Sequence, residues 1–157
     1  GRTRLGFIGD VEYAQTNMDR YRGFLDAHQE LGIPVEAGLC RTGALGLNSH
    51  AEEIESFLRG LPVLPDGFVC PSDFIAHFIQ QYMLDNHVAV PPVLTGFDNS
   101  AEYINVAERI TTVDVDTRAL GKRLARQLMY RVDYPRAPFE TTYVSPRVLL
   151  RGELAEK

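Results

Sequence analysis

The chain has 157 residues, which suits one compact domain or two small lobes, and its composition of 45% hydrophobic and 24% charged residues is ordinary for a globular protein. Its formal net charge of −5 argues against a surface that binds nucleic acid, which needs basic residues. No apolar run is long enough to span a bilayer. Cys40 and Cys70 fall in predicted strands without CxxC spacing, which favours reduced core thiols in a cytosolic protein.

Short apolar stretches alternate with longer stretches of helical periodicity along the chain. The predicted strands cover residues 4–9, 36–40, 67–70, 92–97 and 110–115, with one more strand in the proline-containing tail. The predicted helices cover residues 16–31, 49–59, 72–87 and 117–132. Strands that alternate with helices at this spacing predict right-handed βαβ units, and therefore an α/β fold with a parallel sheet flanked by helices.

Local signals predict where the helices begin and end. Thr16 or Asn17 can cap the first helix, and Gly32 ends it. Ser49 and Glu52 have the spacing of a capping box at the start of the second helix.

Polar side chains follow the predicted strands at the points where the strands end. Asp10 follows the first strand, the Ser72-Asp73 pair follows the third, and Asp98 follows the fourth. Because ligands of open parallel sheets bind outside the carboxyl ends of the strands, these side chains should converge on one edge of the sheet, here called the rim.

Arg20 breaks two local rules at once. It lies on the same helical stripe as Phe24 and Leu31, which should face the core. It also lies in the first turns, where the helix dipole disfavours an exposed cation by about 0.3–1 kcal/mol. Such conflicts mark functional positions, although an arginine that extends to solvent beside Asp10 or Asp19 also fits the pattern.

An arginine, carboxylates and a hydroxyl on one rim have the chemistry of a sugar-binding site, because guanidinium and carboxylate groups address neighbouring hydroxyls in directed pairs. Aromatic rings pack against sugar rings, and Phe74, Phe97 or Tyr13 could do so here. Structural roles remain open: Asp98 in a turn, and Ser72 as a helix cap.

Other chemistry finds less support in the sequence. Asp10, Asp73 and Asp98 could hold Mg²⁺ in a small α/β enzyme, but no lysine lies near a predicted strand end to face a phosphate. The four histidines have no metal-ligand spacing, and neither a GxSxG motif nor a phosphate-binding loop is present. The sequence therefore predicts no metal, no cofactor and no catalytic residue.

Six segments in a fixed order resemble the LacI/GalR family of bacterial transcription regulators. The segments are RLGFIG, RYRGF, LPDGFVCPSDFIA, GFDN, ITTVDVDTRALG and PRVLLRGE, and the match covers nearly the whole chain, from about Arg4 to Gly152. The resemblance implies the C-terminal part of an effector-binding domain, with a type I periplasmic-binding-protein-like lobe. It also implies a non-enzymatic, cytoplasmic, dimeric repressor whose sugar-type effector binds between two lobes.

The resemblance assigns roles to particular residues. Arg20 and Asp98 match family positions that contact the effector, and Thr16 matches a hydroxyl residue one turn before that arginine. Ser72 and Asp73 stand where the family usually has Asn-Asp, which indicates an altered effector preference.

The resemblance also divides the chain into three segments. Residues 1–108 would form the C-terminal lobe, 109–136 would return to a mostly absent N-terminal lobe, and 137–157 would cross back. The helix-turn-helix that binds the operator would precede Gly1, so this piece should not bind DNA by itself. We expect the leucines at positions 120, 124 and 128 to be buried against another chain or the first lobe.

A second function shares this fold and rim chemistry, namely an exported sugar-binding protein of a transporter. The segments GFDN and VLLRGE favour the regulator, because transporter proteins usually lack that ending. The residues upstream of Gly1 would separate the two functions.

Overall fold

The computed structural model describes residues 2–155, which form six strands and four α-helices. The strands are β1 (Leu5–Ile8), β2 (Cys40–Arg41), β3 (Gly67–Val69), β4 (Val93–Thr95), β5 (Ile110–Asp114) and β6 (Arg147–Leu149). The helices are α1 (Gln15–Leu31), α2 (His50–Gly60), α3 (Asp73–Asp85) and α4 (Thr117–Asp133). Among residues 2–155, no helix has the length and apolar character needed to cross a membrane.

All six strands belong to one sheet with the order β2-β1-β3-β4-β5-β6. The pairings from β2 to β5 are parallel, and β6 adds an antiparallel edge to β5, with Thr112 opposite Leu149. The predicted α/β fold with a parallel sheet flanked by helices is therefore confirmed, with β6 as the one antiparallel strand among the described residues. The antiparallel edge strand arises because the chain, after leaving β5, returns in its C-terminal tail and pairs β6 with β5.

Helices cover the sheet on both faces. On one face, α2 and α3 bury the larger apolar cluster, to which β1, β3 and β4 contribute. Its most deeply buried members are Ile8, Ile54, Leu58, Phe68, Ala76 and Ile79. On the other face, Phe24 of α1 packs with Phe7 and Val11. Packing in the two clusters fixes the position of the carboxyl ends of the strands, and therefore the position of the rim.

Two predicted elements differ in detail. Residues 37–39 form a 3₁₀ helix rather than a strand, since the Leu39 amide donates to the Glu36 carbonyl and closes a turn. The strand that follows has only two residues, Cys40 and Arg41. The prediction missed this turn because the apolar run at residues 37–40 fits either structure.

Two predicted capping interactions do not form, although Ser49 does occupy the N-cap position of α2. Ala14 occupies the N-cap position of α1, and the Asn17 side chain instead donates to the Asp10 carbonyl at 2.8 Å. Ser49 makes no capping bond at α2, because its hydroxyl donates to Glu53 Oε1 at 2.7 Å. In both cases another hydrogen bond replaces the cap: Asn17 binds the loop before α1, and Ser49 binds a glutamate side chain in the first turn of α2.

The segment after residue 109 divides into two parts with different environments. Strand β5 is hydrogen-bonded within the sheet, whereas no residue of α4 (Thr117–Asp133) is buried. Leu120, Leu124 and Leu128 are 44%, 70% and 62% exposed. The expected burial of these leucines against residues 1–108 of the same chain therefore does not occur. Burial against another chain remains a prediction.

Candidate functional site

A cavity of about 520 Å³ opens at the rim, beside the carboxyl ends of β1, β2, β3 and β4. We call it the rim cavity. One part of its lining is polar and the other is apolar. Its lining residues are Asp10, Tyr13, Asn17, Arg20, Leu45, Gly46, Leu47, His50, Pro71, Ser72, Phe74, Ile75 and Asp98. Four of the six predicted site residues, Arg20, Asp98, Ser72 and Phe74, therefore lie around one cavity.

Arg20 is held in place by two neighbours at the cavity wall. Its Nη1 donates to the Pro71 carbonyl at 2.8 Å, and its guanidinium carbon lies 3.6 Å from the centroid of the Phe97 ring. Burial lowers the pKa of Arg20 below its ordinary value, and the Asp98 carboxylate acts in the opposite direction. Arginine carries five N–H donors, so the bond to Pro71 leaves donors that can serve a ligand.

Asp98 reaches the cavity through an uncommon backbone conformation. Its φ is +96°, and Asn99 follows with a φ of +49°. The Asp98 amide donates to the Val113 carbonyl at 3.0 Å, which continues the pairing between β4 and β5 past the strand end. Because left-handed backbone is strained for residues other than glycine, the chain gives up stability to place this carboxylate at the rim.

The start of α3 contributes Ser72 and Phe74 to the cavity wall. Ser72 is the N-cap, and its Oγ accepts from the Ile75 amide at 3.5 Å, as the sequence predicts. The Phe74 ring packs against His50 at 4.5 Å and edge-on against Phe78 at 5.0 Å between ring centroids. This packing fixes an aromatic ring on the apolar side of the cavity.

Thr16 and Asp73 do not line the rim cavity. Thr16 is exposed in the first turn of α1. Asp73 is buried, with Oδ1 accepting from the Thr112 hydroxyl at 2.6 Å and Oδ2 accepting from the Ser100 amide at 3.0 Å. Burial raises the pKa of Asp73, although these two hydrogen bonds act to lower it. Gly96 permits the approach, because a Cβ there would lie 2.2 Å from Asp73 Oδ1.

Asp10 lies at the cavity but has structural hydrogen bonds. Its Oδ1 accepts from the amides of Glu12 and Tyr13 at 3.0 Å each, and its Oδ2 accepts from the Leu45 amide at 3.3 Å. The carboxylate therefore ties together the loops that follow β1 and β2. Within residues 2–155, no group of three His, Cys, Asp or Glu side chains is arranged to hold a metal ion, so the three rim aspartates do not form one.

Sequence reasoning missed two polar residues of the cavity. The sequence assigns His50 no role beyond its lack of metal-ligand spacing, and it offers Asn17 only as a helix cap. His50 opens the helix that follows β2, and Asn17 precedes Arg20 by three residues on α1. Both positions carry a signal that could have found them: the first lies beyond a strand end, and the second shares a helix face with Arg20.

Residues 1–152 match the family model described as a periplasmic binding protein-like domain. The transcriptional repressor PurR of Actinobacillus pleuropneumoniae serotype 5b is 26% identical over 155 residues, covering 96% of this chain and 46% of that protein. The transcriptional regulator RegA of Clostridium saccharobutylicum is 30% identical over 141 residues, covering 88% of this chain and 40% of that protein. The chain thus spans less than half the length of these relatives.

Solved structures share the fold. A LacI-family transcriptional regulator of Enterococcus faecium with bound ribose aligns with a TM-score of 0.77 at 20% identity, over 96% of this chain and 56% of that one. The regulator CelR in complex with cellobiose aligns with a TM-score of 0.75 at 19% identity, over 96% of this chain and 46% of that one. A LacI-family regulator of Mycobacterium smegmatis aligns with a TM-score of 0.75 at 23% identity, over 96% of this chain and 57% of that one.

Proposed function

The chain belongs to the periplasmic binding protein-like domain family, and from this premise we propose that it senses a small-molecule effector for a LacI/GalR-type transcriptional repressor. The resemblance of its motifs to that family and the repressor names of its relatives support this proposal. The proposal assigns no catalytic step to any residue.

The meeting of Arg20 and Asp98 at one cavity is the observation that carries the proposal. A guanidinium and a carboxylate can bind neighbouring hydroxyl groups from two sides, one as donor and the other as acceptor. The volume of about 520 Å³ lies in the range of small-molecule sites. The ribose and cellobiose bound by two structural neighbours support a sugar or sugar derivative as the ligand class.

We divide the cavity into two functional sides. The Ser72 hydroxyl and the Asn17 amide supplement Arg20 and Asp98 on the polar side. The Phe74 ring and neighbouring leucines supply an apolar wall on which the less polar face of a sugar ring can pack. A cavity that combines an apolar wall with a few converging polar groups fixes both the position and the orientation of a ligand.

We further propose that the cavity is one half of a two-lobed site. In this proposal residues 1–108 form one lobe, residues 109–136 carry α4 into the second lobe, and residues 137–157 return. The exposure of α4 and the position of β5 and β6 side by side at the sheet edge support this division. In the full-length cytoplasmic regulator, ligand-driven closure of the lobes would act on a dimer and its helix-turn-helix.

Titration of the ¹⁵N-labelled chain with D-ribose and with cellobiose tests the proposal. We expect dissociation constants near or above about 1 mM, because one lobe supplies half of the contacts. Shifts should concentrate at Ser72, Phe74 and Asp98, and Arg20→Met should weaken the response by about tenfold or more.

The exposed α4 residue Arg126 provides the matched control, and Arg126→Met should leave the titration unchanged. Shifts located away from the rim cavity would contradict the assignment of the site. An equal response of the Arg20 variant and the wild-type chain would contradict the role of the guanidinium.

An exported sugar-binding protein of a transporter is the competing function, because the matched family model is described as a periplasmic binding protein-like domain. The coding sequence upstream of Gly1 separates the two. A helix-turn-helix there supports the repressor, and a signal peptide supports the transporter protein.

A further inference from the structure

We propose that Asn99 and Arg151 are positioning residues that hold the Asp98 carboxylate toward the rim cavity. The inference rests on the proposed function, in which Asp98 contacts the ligand. Neither Asn99 nor Arg151 lines the cavity, so both would act through Asp98 and not on the ligand itself.

The side-chain amide of Asn99 is bound at both ends. Its Oδ1 accepts from Arg151 Nη2 at 2.9 Å, and its Nδ2 donates to Asp114 Oδ1 at 3.1 Å. Asp114 is in turn paired with Arg147 of β6 at 2.7 Å. An amide fixed at its oxygen and its nitrogen cannot rotate freely, so the backbone that carries it is fixed as well.

This fixation acts where the chain is strained. Asp98 and Asn99 both have positive φ, and such conformations persist only where surrounding contacts over-determine them. The Asn99 amide donates to the Thr112 hydroxyl at 3.3 Å, and the Ser100 amide donates to Asp73 at 3.0 Å. Together with the Asn99 side chain, these bonds hold the backbone on the C-terminal side of Asp98.

The backbone of Arg151 is anchored independently of its side chain. The Arg151 amide donates to the Thr111 hydroxyl at 2.9 Å, and that hydroxyl donates to the Arg151 carbonyl at 3.3 Å. The guanidinium also reaches the Ile110 carbonyl, at 3.5 Å. The tail should therefore stay docked when only the guanidinium is removed, which permits a local test.

Residue-resolved amide hydrogen exchange on the whole chain provides that test without a ligand. In Arg151→Met, the amides of Asp98, Asn99 and Ser100 should exchange about tenfold faster, while the amides of β1 and β3 keep their rates. Asn99→Gly removes the same contact and tolerates the positive φ, so it should accelerate exchange at Asp98 and Ser100. The double variant should add little, because both changes break one network.

Arg126→Met is again the matched control and should leave all these rates unchanged. Wild-type rates at residues 98–100 in Arg151→Met would overturn the proposal. A uniform acceleration across β1, β3 and the loop would also overturn it, because that pattern means general destabilisation.

A D-ribose titration of the same variants separates this inference from the proposed function. If the wild-type chain responds, the Asp98 shift in Arg151→Met should need about tenfold more ribose. If neither D-ribose nor cellobiose perturbs the wild-type rim, the proposed sugar site fails, and the exchange rates still decide whether the pair positions Asp98.

Discussion

Arg20 shows how a residue that conflicts with its helix is accommodated by distant partners. The carbonyl of Pro71 accepts from its guanidinium, the Phe97 ring lies beneath it, and Asp98 supplies an opposite charge. A cation over an aromatic face contributes about 0.5–1 kcal/mol at an exposed site and about 2 kcal/mol when desolvated. These contacts offset the unfavourable position of the charge in the first turns of α1.

Asp73 has the clearest pH-dependent role among the rim residues. Asp73→Asn should lower the free energy of unfolding by about 1–3 kcal/mol at neutral pH, because either the Thr112 hydroxyl or the Ser100 amide loses its acceptor. Burial raises the pKa of Asp73, so the folded state holds the proton more tightly than the unfolded state. That stabilisation is fully present below the unfolded-state pKa and is lost as pH rises through the folded-state pKa.

Asparagine does not titrate in this range, so the stability gap between wild type and Asp73→Asn should widen as the pH falls. Urea unfolding at several values between about pH 7 and about pH 4 measures the gap. A gap that stays constant or narrows would show that the hydrogen bonds outweigh burial in setting the pKa.

The same residue shows a limit of sequence reasoning. The sequence predicted that Asp10, Ser72, Asp73 and Asp98 follow strand ends, and all four do. It could not predict that Thr112, which is 39 residues away, would occupy one oxygen of Asp73 and turn it from the cavity. The orientation of a side chain at a strand end depends on neighbours that only the folded sheet brings together.

At the scale of elements, the C-terminal end of α1 depends on one glycine. Gly32 has a φ of +65°, its amide donates to the Gln29 carbonyl, and the Ile33 amide donates to the His28 carbonyl. Gly32→Ala should lower the free energy of unfolding by about 1–2 kcal/mol, because a Cβ disfavours the left-handed conformation. Urea denaturation measures the change.

A second glycine of the same helix provides the matched control. Gly23 lies inside α1 with open space around its Cβ position, and Gly23→Ala should raise the free energy of unfolding by up to about 1 kcal/mol. Equal effects of the two alanines would show that the positive φ at Gly32 carries no energetic cost.

The helices were more predictable from the sequence than their caps. Apolar periodicity located all four helices to within one or two residues at most ends. The Ala14 cap and the missing capping bond of Ser49 escaped prediction because the Asn17 side chain donates to Asp10 and the Ser49 hydroxyl donates to Glu53. Residues 37–39 escaped because a short apolar run does not distinguish a strand from a tight turn.

At the scale of the whole molecule, α4 leaves an apolar stripe uncovered. Full burial of a leucine contributes about 1.5–3 kcal/mol, so the three leucines of the stripe favour association with another surface. We expect the isolated chain to self-associate as its concentration rises. The double variant Leu124→Ser, Leu128→Ser should shift the distribution toward monomer in sedimentation velocity.

Ala125→Ser, on the flank of the stripe, should leave that distribution unchanged. A wild-type chain that stays monodisperse and monomeric at all concentrations would contradict the expectation. The sequence predicted the stripe itself from its spacing, but not its exposure, because burial depends on which surfaces the fold places opposite it.

The antiparallel pairing of β5 with β6 has a topological consequence for residues 115–146. Asp114 lies opposite Arg147 in the register, so the chain departs from the sheet and re-enters it at neighbouring points. In outline the two strands are the stem of a β-hairpin whose connection has been lengthened to include a helix. Such a connection can change in length, composition or orientation while its two anchor points stay fixed, so evolution can vary what is attached there without rebuilding the sheet below.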